Sequence, residues 1–338
     1  MANKKQQRPS RTAPTRRQLS RWQRENRSRR ITLAVGSFII LVVIALVGFG
    51  AYTKYVVPPR ETAFKVNGTA FDMEYYVKVL RWLTFNGRAL QAATPDAMAQ
   101  TIVEPELLRQ AAPGLQISVT SDEALDVMRE PYRSTLTQGE EFNESKFQDW
   151  YRLRLKDYGL SADDVGRFLE QTAIRNKLRD YLGKDLPAFA TQVRLLGIEV
   201  SDVLTANDVQ TKLAQGQDFA EVAKASSIDG TSGANGGELG WFVRDLLPPE
   251  IADTVFALQP GAVTQPISGR LNEFDTSGFW IFKVVEKQEN REVDPAAQNA
   301  LKNKLATQWF DEQKAKSQIE NMVTNEKRAW ALEQAPAQ

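Results

Sequence analysis

The residues best placed to do chemistry lie in a glycine-rich loop late in the chain, Ser227–Phe242, which contains one aspartate, Asp229. Such loops can bind phosphate through backbone N–H groups, usually with a lysine nearby and at the start of a helix. This loop contains no lysine and no helix start follows it. Phosphate binding is therefore a poor interpretation, and Asp229 either serves a ligand or caps the turn.

Two residue types that carry much of enzyme chemistry are absent from the 338-residue chain, which has no cysteine and no histidine. Without cysteine there is no disulfide, thiolate nucleophile or cysteine-ligated zinc. Without histidine there is no Ser–His–Asp triad and no histidine base or metal ligand. The sequence also lacks a P-loop motif. We therefore expect neither a metal nor a cofactor.

A series of short motifs runs from Gly216 to Val284. In chain order the motifs are G-x-D-F-A-x-x-A, S-x-D, G-G-E-L-G-W-F, F-A-L-x-x-G, x-x-P-I and G-F-x-I-x-K-V. The series resembles the parvulin (rotamase) domain, with the motifs in the family order within a region of about 95 residues. The resemblance implies a parvulin-like domain at 191–288, with a four-stranded antiparallel sheet flanked by helices.

The same resemblance implies a shallow apolar groove that holds a proline ring. By motif position, five residues line this groove: Leu239, Leu247, Ile251, Phe256 and Trp280. Each of them can also be ordinary core. The implied reaction rotates an X–Pro amide over a barrier of about 18–20 kcal/mol and breaks no bond.

The chain departs from the family at two positions. Parvulins carry a histidine in the first strand and another in the last, where this chain has Gly197 and Trp280. The indole N–H of Trp280 can still donate one hydrogen bond. Asp229 stands where the family places an acidic or cysteine-type residue near the amide. Two hypotheses remain: a peptidyl-prolyl isomerase, or a peptide-binding chaperone module that has lost turnover.

An uncharged run of 23 residues, Ile31–Thr53, precedes these regions. As a helix it would extend roughly 34 Å, enough to cross a bilayer core of about 30 Å. A buried core helix is rarely apolar on all faces, and the apolar part of a signal peptide is usually shorter, about 7–15 residues. The run predicts an uncleaved transmembrane helix at 31–53.

Charge flanking this run predicts its orientation. Residues 1–30 contain eleven basic residues and one acidic residue, whereas the remaining 32 basic and 41 acidic residues have a net charge of −9. The positive-inside rule predicts a cytoplasmic N-terminus and extracytoplasmic domains. The composition of 1–30 predicts a disordered tail that contacts anionic lipid. Binding of nucleic acid by this tail is the weaker alternative.

The region 58–190 contains a hairpin pattern, Ala63–Phe71 with the turn Asn67-Gly68, and then several helical patterns. This order resembles the N-terminal chaperone domain of SurA-like and PrsA-like foldases. In that family the last helix packs back onto the domain, and here 294–331 has a helical pattern. Its expected buried residues are Leu301, Leu305, Trp309, Ile319, Met322, Val323 and Trp330.

Together these observations predict an α+β protein with a transmembrane helix, a mostly helical chaperone-like domain and a parvulin domain. The resemblance implies a membrane-anchored folding factor whose partners are unfolded or newly translocated polypeptides with X–Pro bonds. A scaffold subunit of a membrane assembly is a further alternative.

Overall fold

The computed structural model describes residues 16–85, 94–271 and 278–335. The helices are α1 Arg16–Ala51, α2 Val57–Arg60, α3 Met73–Phe85, α4 Pro95–Ala111, α5 Ser121–Arg133, α6 Glu144–Tyr158, α7 Ala162–Gly183, α8 Val203–Ala214, α9 Phe219–Ser226, α10 Gly230–Ala234, α11 Pro249–Ala257, α12 Pro295–Ala315 and α13 Asn325–Gln334. The strands are β1 Thr62–Val66, β2 Thr69–Asp72, β3 Phe189–Val200, β4 Glu238–Val243, β5 Ile267–Gly269, β6 Gly278–Glu292 and β7 Ile319–Asn321. The predicted α+β class is confirmed.

The chain divides into two units: Met1–Met98 with Glu320–Gln338, and Ala99–Ile319. In the first unit, α1 continues through a π-helical turn, Tyr52–Val56, into α2. Leu33–Arg60 is long and apolar enough to cross a membrane, and none of its most apolar stretch is buried. The predicted disorder of 1–30 is wrong for residues 16–30, which extend this helix, and residues 1–15 lie outside the described residues.

A three-stranded sheet follows the N-terminal helix, in the order β2-β1-β7. The β1–β2 turn has φ of 48° at Asn67 and 86° at Gly68. A type I′ turn requires positive φ at both central residues, and Asn-Gly adopts it readily. The predicted hairpin is confirmed.

The predicted continuous helix 294–331 is wrong, because β7 separates α12 from α13. The backbone N–H of Met322 donates to the carbonyl of Ala63 at 2.8 Å, so this segment pairs with the outer edge of β1. Ile319, expected in a helical core, lies in β7 and is 37% exposed. Thr324 then caps α13 by accepting from the N–H of Lys327.

Three helices of the second unit, α4, α7 and α12, meet at a small core of Leu108, Leu178 and Phe310. Beside it lies a buried carboxylate, Glu104, which is 2% exposed. Its two oxygens accept from Arg175 of α7 and from Lys314 of α12, the latter at 2.8 Å. One acidic side chain on α4 therefore joins three helices that are distant in sequence.

The second sheet has the order β4-β3-β6-β5 and is antiparallel throughout, as predicted. Its faces follow the two-residue period of β3. Ile198 and Val200 face the buried residues of α8 and α9, whereas Val193 and Leu195 face those of α11. Helices therefore cover both faces, and the α11 face carries the predicted groove residues.

Replacing Glu104 with alanine should lower the free energy of unfolding by about 1–3 kcal/mol. This loss of stability is smaller than the loss expected when a fully buried ion pair is broken, because Arg175 and Lys314 keep partial contact with water. Urea denaturation followed by tryptophan fluorescence measures the change.

The matched control on α12 is Glu312→Ala, since Glu312 and Lys316 form an exposed ion pair at 3.7 Å. This substitution should change stability by less than about 0.5 kcal/mol. Equal effects of the two substitutions would contradict a special role for Glu104.

Candidate functional site

The structure brings the five predicted groove residues together on one face of the second sheet. Four of them belong to a single buried cluster with residues of β3 and β6: Leu247, Ile251, Phe256 and Trp280. Leu239 of β4 is partly buried and packs against this cluster. Leu247 is 2% exposed, and Ile251 and Trp280 are 1% exposed, so these three offer little surface to a ligand in this conformation.

Gly197 and Trp280, at the positions of the family histidines, fit each other. A Cβ atom placed on Gly197 would lie 3.0 Å from Cζ3 of Trp280 and 2.5 Å from Cδ1 of Leu239. The indole also stacks on Phe282, with ring centroids 5.5 Å apart and planes at 6°. The indole therefore covers Gly197 and occupies the space where a side chain on β3 would stand.

The indole N–H of Trp280 is a buried donor without a hydrogen-bond acceptor among the residues that the structure describes. Leaving such a donor unsatisfied costs about 1–3 kcal/mol. A polar group kept at this cost in an otherwise apolar wall can serve a bound carbonyl or amide nitrogen.

Glu199 is a site residue that the sequence reasoning missed. It lies on β3 directly opposite Trp280 and is 5% exposed. Its main chain fixes the glycine-rich loop, because its N–H donates to Oγ of Ser227 at 3.2 Å and its carbonyl accepts from the N–H of Ile228 at 2.8 Å. The available signal was a charged residue in an apolar strand, two positions beyond Gly197 on the same face.

Asp229 caps α10 and does not join the apolar cluster. Its Oδ1 accepts from the N–H of Thr231 at 3.1 Å, and its Oδ2 accepts from the hydroxyl of Ser232. Both carboxylate oxygens are thus used within the loop. The structure therefore shows Asp229 as the cap of α10. A catalytic role for Asp229 stays a prediction.

The glycines of the loop allow it to lie against β3. Gly197 donates its N–H to the carbonyl of Gly237 at 2.7 Å. Gly237 has φ of 85°, and a Cβ there would lie 2.7 Å from the carbonyl oxygen of Gly197. Any other residue would be strained and would clash. Close backbone contact, rather than phosphate binding, accounts for the glycines.

The accessible part of the apolar cluster is its rim, which the sequence reasoning identified only at Leu239. Four further residues pack partly buried against the cluster: Phe242, Leu258, Ile267 and Leu271. Leu271 ends the described part of the loop 270–277, since residues 272–277 lie outside it. These rim side chains provide the apolar surface that a ligand can reach.

Two ion pairs of this sheet and its helices involve arginine. Arg194 of β3 donates to both oxygens of Glu238 of β4, at 3.1 and 2.9 Å. These hydrogen bonds raise the pKa of Arg194 above its ordinary value. The Arg194 pair belongs to the α8 and α9 face, because Arg194 alternates with Val193 and Leu195. On the α11 face, Arg244 pairs with Asp253 and lies 5.5 Å from the ring centroid of Phe256. Within the described ranges no three acidic side chains come together to hold a metal ion.

Known proteins resemble this chain both in part and over most of its length. A foldase protein PrsA of Geobacillus sp. (strain WCH70) is 28% identical over 184 residues, which are 54% of this chain and 60% of that protein. A foldase protein PrsA of Caldanaerobacter subterraneus is 24% identical over 251 residues, 74% of this chain and 78% of that protein. The periplasmic chaperone PpiD of Haemophilus influenzae is 30% identical over 221 residues, 61% of this chain and 35% of that protein.

The chain thus spans about three fifths of the first of these relatives and about a third of the last. Among solved structures, the peptidylprolyl isomerase PrsA of Bacillus anthracis aligns with 71% of this chain and 97% of its own, at 19% identity and a TM-score of 0.40. The Rotamase family, the PPIC-type PPIase domain, matches residues 204–286, which include β4, β5 and α11. The chain therefore carries a rotamase domain of the PPIC type.

Proposed function

We propose that this protein is a membrane-anchored, extracytoplasmic folding factor whose rotamase domain binds X–Pro segments of unfolded or newly translocated polypeptides and speeds their isomerisation. One observation carries the proposal. Within the segment that matches the rotamase family, an apolar sheet face has an accessible rim and a buried, unsatisfied N–H donor on Trp280. The names of the relatives, foldase and chaperone, support the same role.

The proposed catalysis uses geometry rather than covalent chemistry. Rotation about the X–Pro bond requires loss of amide resonance, with a barrier of about 18–20 kcal/mol. An apolar site holds the proline ring and excludes water from the carbonyl, which favours the less polar twisted amide. Once a bound segment displaces part of the rim, the buried indole N–H of Trp280 can donate to the twisted form. Each 1.36 kcal/mol gained selectively by that form gives about a tenfold rate increase.

A second candidate function is peptide binding without turnover. The pairing of Gly197 with Trp280 favours it, because an indole fills the region in which the family has two histidines. Leu247 and Ile251 are also buried by their own neighbours, so a proline ring must displace them or bind at the rim. The two candidates differ in one measurable quantity, the rate of X–Pro isomerisation.

The double substitution Gly197→His with Trp280→His tests the two candidates. The smaller side chain at 280 removes the contact of Gly197→His with Trp280, and the remaining close contact is with Cδ1 of Leu239, the far end of a flexible side chain that can change rotamer. If the wild type is an isomerase, a protease-coupled assay on an Ala-Pro peptide detects turnover above the uncatalysed rate. We expect kcat/KM to rise by about tenfold or more in the double variant.

Gly197→Ala is the control for packing, since it adds a clash without a polar group. It should lower stability by about 1–3 kcal/mol and should not raise the rate. No turnover in the wild type, together with retained binding of the same peptide, would establish the binding module in place of the enzyme.

The proposed membrane anchor is Leu33–Arg60, whose apolar side chains are exposed in the isolated chain. Tyr52 and Tyr55 are exposed at its C-terminal end, and Nζ of Lys54 lies 5.5 Å from the ring centroid of Tyr55. Tyrosine and lysine side chains are enriched where a helix leaves the bilayer. The basic residues within 1–30 favour a cytoplasmic position for that tail and contact with anionic lipid.

Because the chain has no cysteine, single cysteines report its topology without background. With Ser145→Cys, on the exposed surface of α6, intact cells should react with a membrane-impermeant maleimide. Ser28→Cys should react only after the membrane is permeabilised. The reverse pattern would refute the proposed orientation, and extraction of the protein by alkaline carbonate would refute the anchor.

The proposed organisation has a chaperone-like helical domain at 58–190, completed by α12 and α13 of the segment 294–331, and a parvulin domain at 191–288. Contacts within the second unit support the part that involves α12. Lys314 reaches Glu104 of α4, and Lys302 pairs with Asp180 of α7 at 2.7 Å. The chain thus leaves the helices to form the rotamase domain and then returns to them.

A further inference from the structure

We propose that a cavity between α5 and α7 binds a large apolar side chain of an unfolded polypeptide, next to a lysine or arginine of the same segment. The inference rests on the proposed function as a folding factor and adds a second peptide site, with no residue in common with the rotamase face. The cavity has a volume of about 500 Å³ and lies where the start of α5 meets the first half of α7.

The floor of the cavity is apolar. Ala124 and Leu169 are buried beneath it, whereas Val119 and Leu125 are partly exposed along its side. Its volume is within the range of about 300–1,000 Å³ that is typical of ligand sites. A leucine or phenylalanine side chain that enters the cavity exchanges water for these apolar contacts.

Gly166 keeps the cavity open. It lies inside α7 and lines the cavity, and a Cβ atom added to it would meet no heavy atom within 4 Å. Glycine inside a helix is less stable than alanine, and close packing does not require it at this position. Glycine at 166 therefore acts on the outer side of the helix, where the absence of a side chain leaves room for a ligand.

Three exposed charged residues of α7 also line the cavity: Asp163, Arg167 and Glu170. Within the described part of the chain, none of the three takes part in an ion pair of 4 Å or less. The two carboxylates outnumber the one guanidinium, so the rim attracts a cationic side chain. This charge pattern favours a segment that has lysine or arginine beside its apolar residue.

The start of α5 favours a polypeptide over an isolated hydrocarbon. Ser121, the first residue of α5, lines the cavity and is exposed. N–H groups in the first turn of a helix have no acceptor within the helix, and the side chain of Thr120 satisfies that of Glu123. A peptide carbonyl beside the bound apolar side chain can accept from this turn.

The test uses the full-length chain in lipid nanodiscs and a fluorescent, proline-free peptide with a Leu-Phe pair between two lysines. Fluorescence anisotropy measures its Kd, and empty nanodiscs give the blank. Gly166→Leu, which fills the cavity, should raise Kd by about tenfold or more. The matched control Gly166→Ala adds one methyl group and should leave Kd within about twofold.

Charge reversal at the rim provides a second, independent variant on an exposed site. Glu170→Lys should weaken binding of the lysine peptide and strengthen binding of a peptide with glutamates in place of its lysines. If Gly166→Leu does not fold, as judged by circular dichroism, the Glu170→Lys variant alone tests whether the cavity binds the peptide. The charge preference should reverse while isomerisation of an Ala-Pro peptide stays at the wild-type rate.

The inference is overturned if the wild type does not bind the proline-free peptide. It is also overturned if folded Gly166→Leu binds as tightly as the wild type, or if Glu170→Lys leaves the charge preference unchanged. Failure of the proposed function is a separate result, because it appears with the proline-containing peptide, for which neither isomerisation nor binding would then be detected.

Discussion

An indole ring can lie across a β-strand only where the strand has no side chain beneath it, and Gly197 meets this condition under Trp280. The arrangement of the α11 face follows from this contact. Trp280 stacks on Phe282, Leu239 closes over the glycine, and Leu247 and Ile251 pack within the same cluster. A larger side chain at 197 or a different ring at 280 would alter the packing of both residues, so the two positions are coupled.

This contact also sets what the site can offer a peptide. At positions 197 and 280 the two strands carry one neutral donor and no imidazole, the side chain that ordinarily changes charge near neutral pH. Under the proposed function, binding depends on the shape and apolar surface of the rim, and the indole N–H lies buried beneath it. Glu199, opposite the indole, is the acidic group closest in register to that donor.

Much of the fold could be predicted from short patterns, because local physics decides those parts. Asn67-Gly68 specifies a type I′ turn in any context, and alternation along β3 separates its two faces. The predictions failed where distant segments compete. Ile319 has a helical pattern around it, yet pairing with β1, far away in sequence, draws it into a strand. Residues 16–30 have the composition of a disordered tail but continue a helix that the apolar run has already nucleated.

In the candidate site, too, some features could be predicted from local sequence and others depend on contacts between distant segments. Motif positions identified the residues that meet on the sheet face, because the order of elements fixes which strands are neighbours. Depth of burial could not be predicted, since it depends on how side chains from three elements fill one volume. Trp280 and Ile251 are therefore at the expected place but below the surface, whereas the accessible residues Phe242 and Ile267 end two of the motifs without being predicted groove residues.

The pairing of β7 with β1 has a consequence for biosynthesis. Lys65 and Glu320, which form an ion pair across these strands, are 255 residues apart in the chain. The ribosome must release almost the whole polypeptide before β1 gains its second neighbour. Until then the edge of β1 opposite β2 has unpaired N–H and carbonyl groups that can pair with other extended chains. The first-made unit is thus the last to be completed, and during that interval it has the exposed strand edge that is typical of an incompletely folded polypeptide.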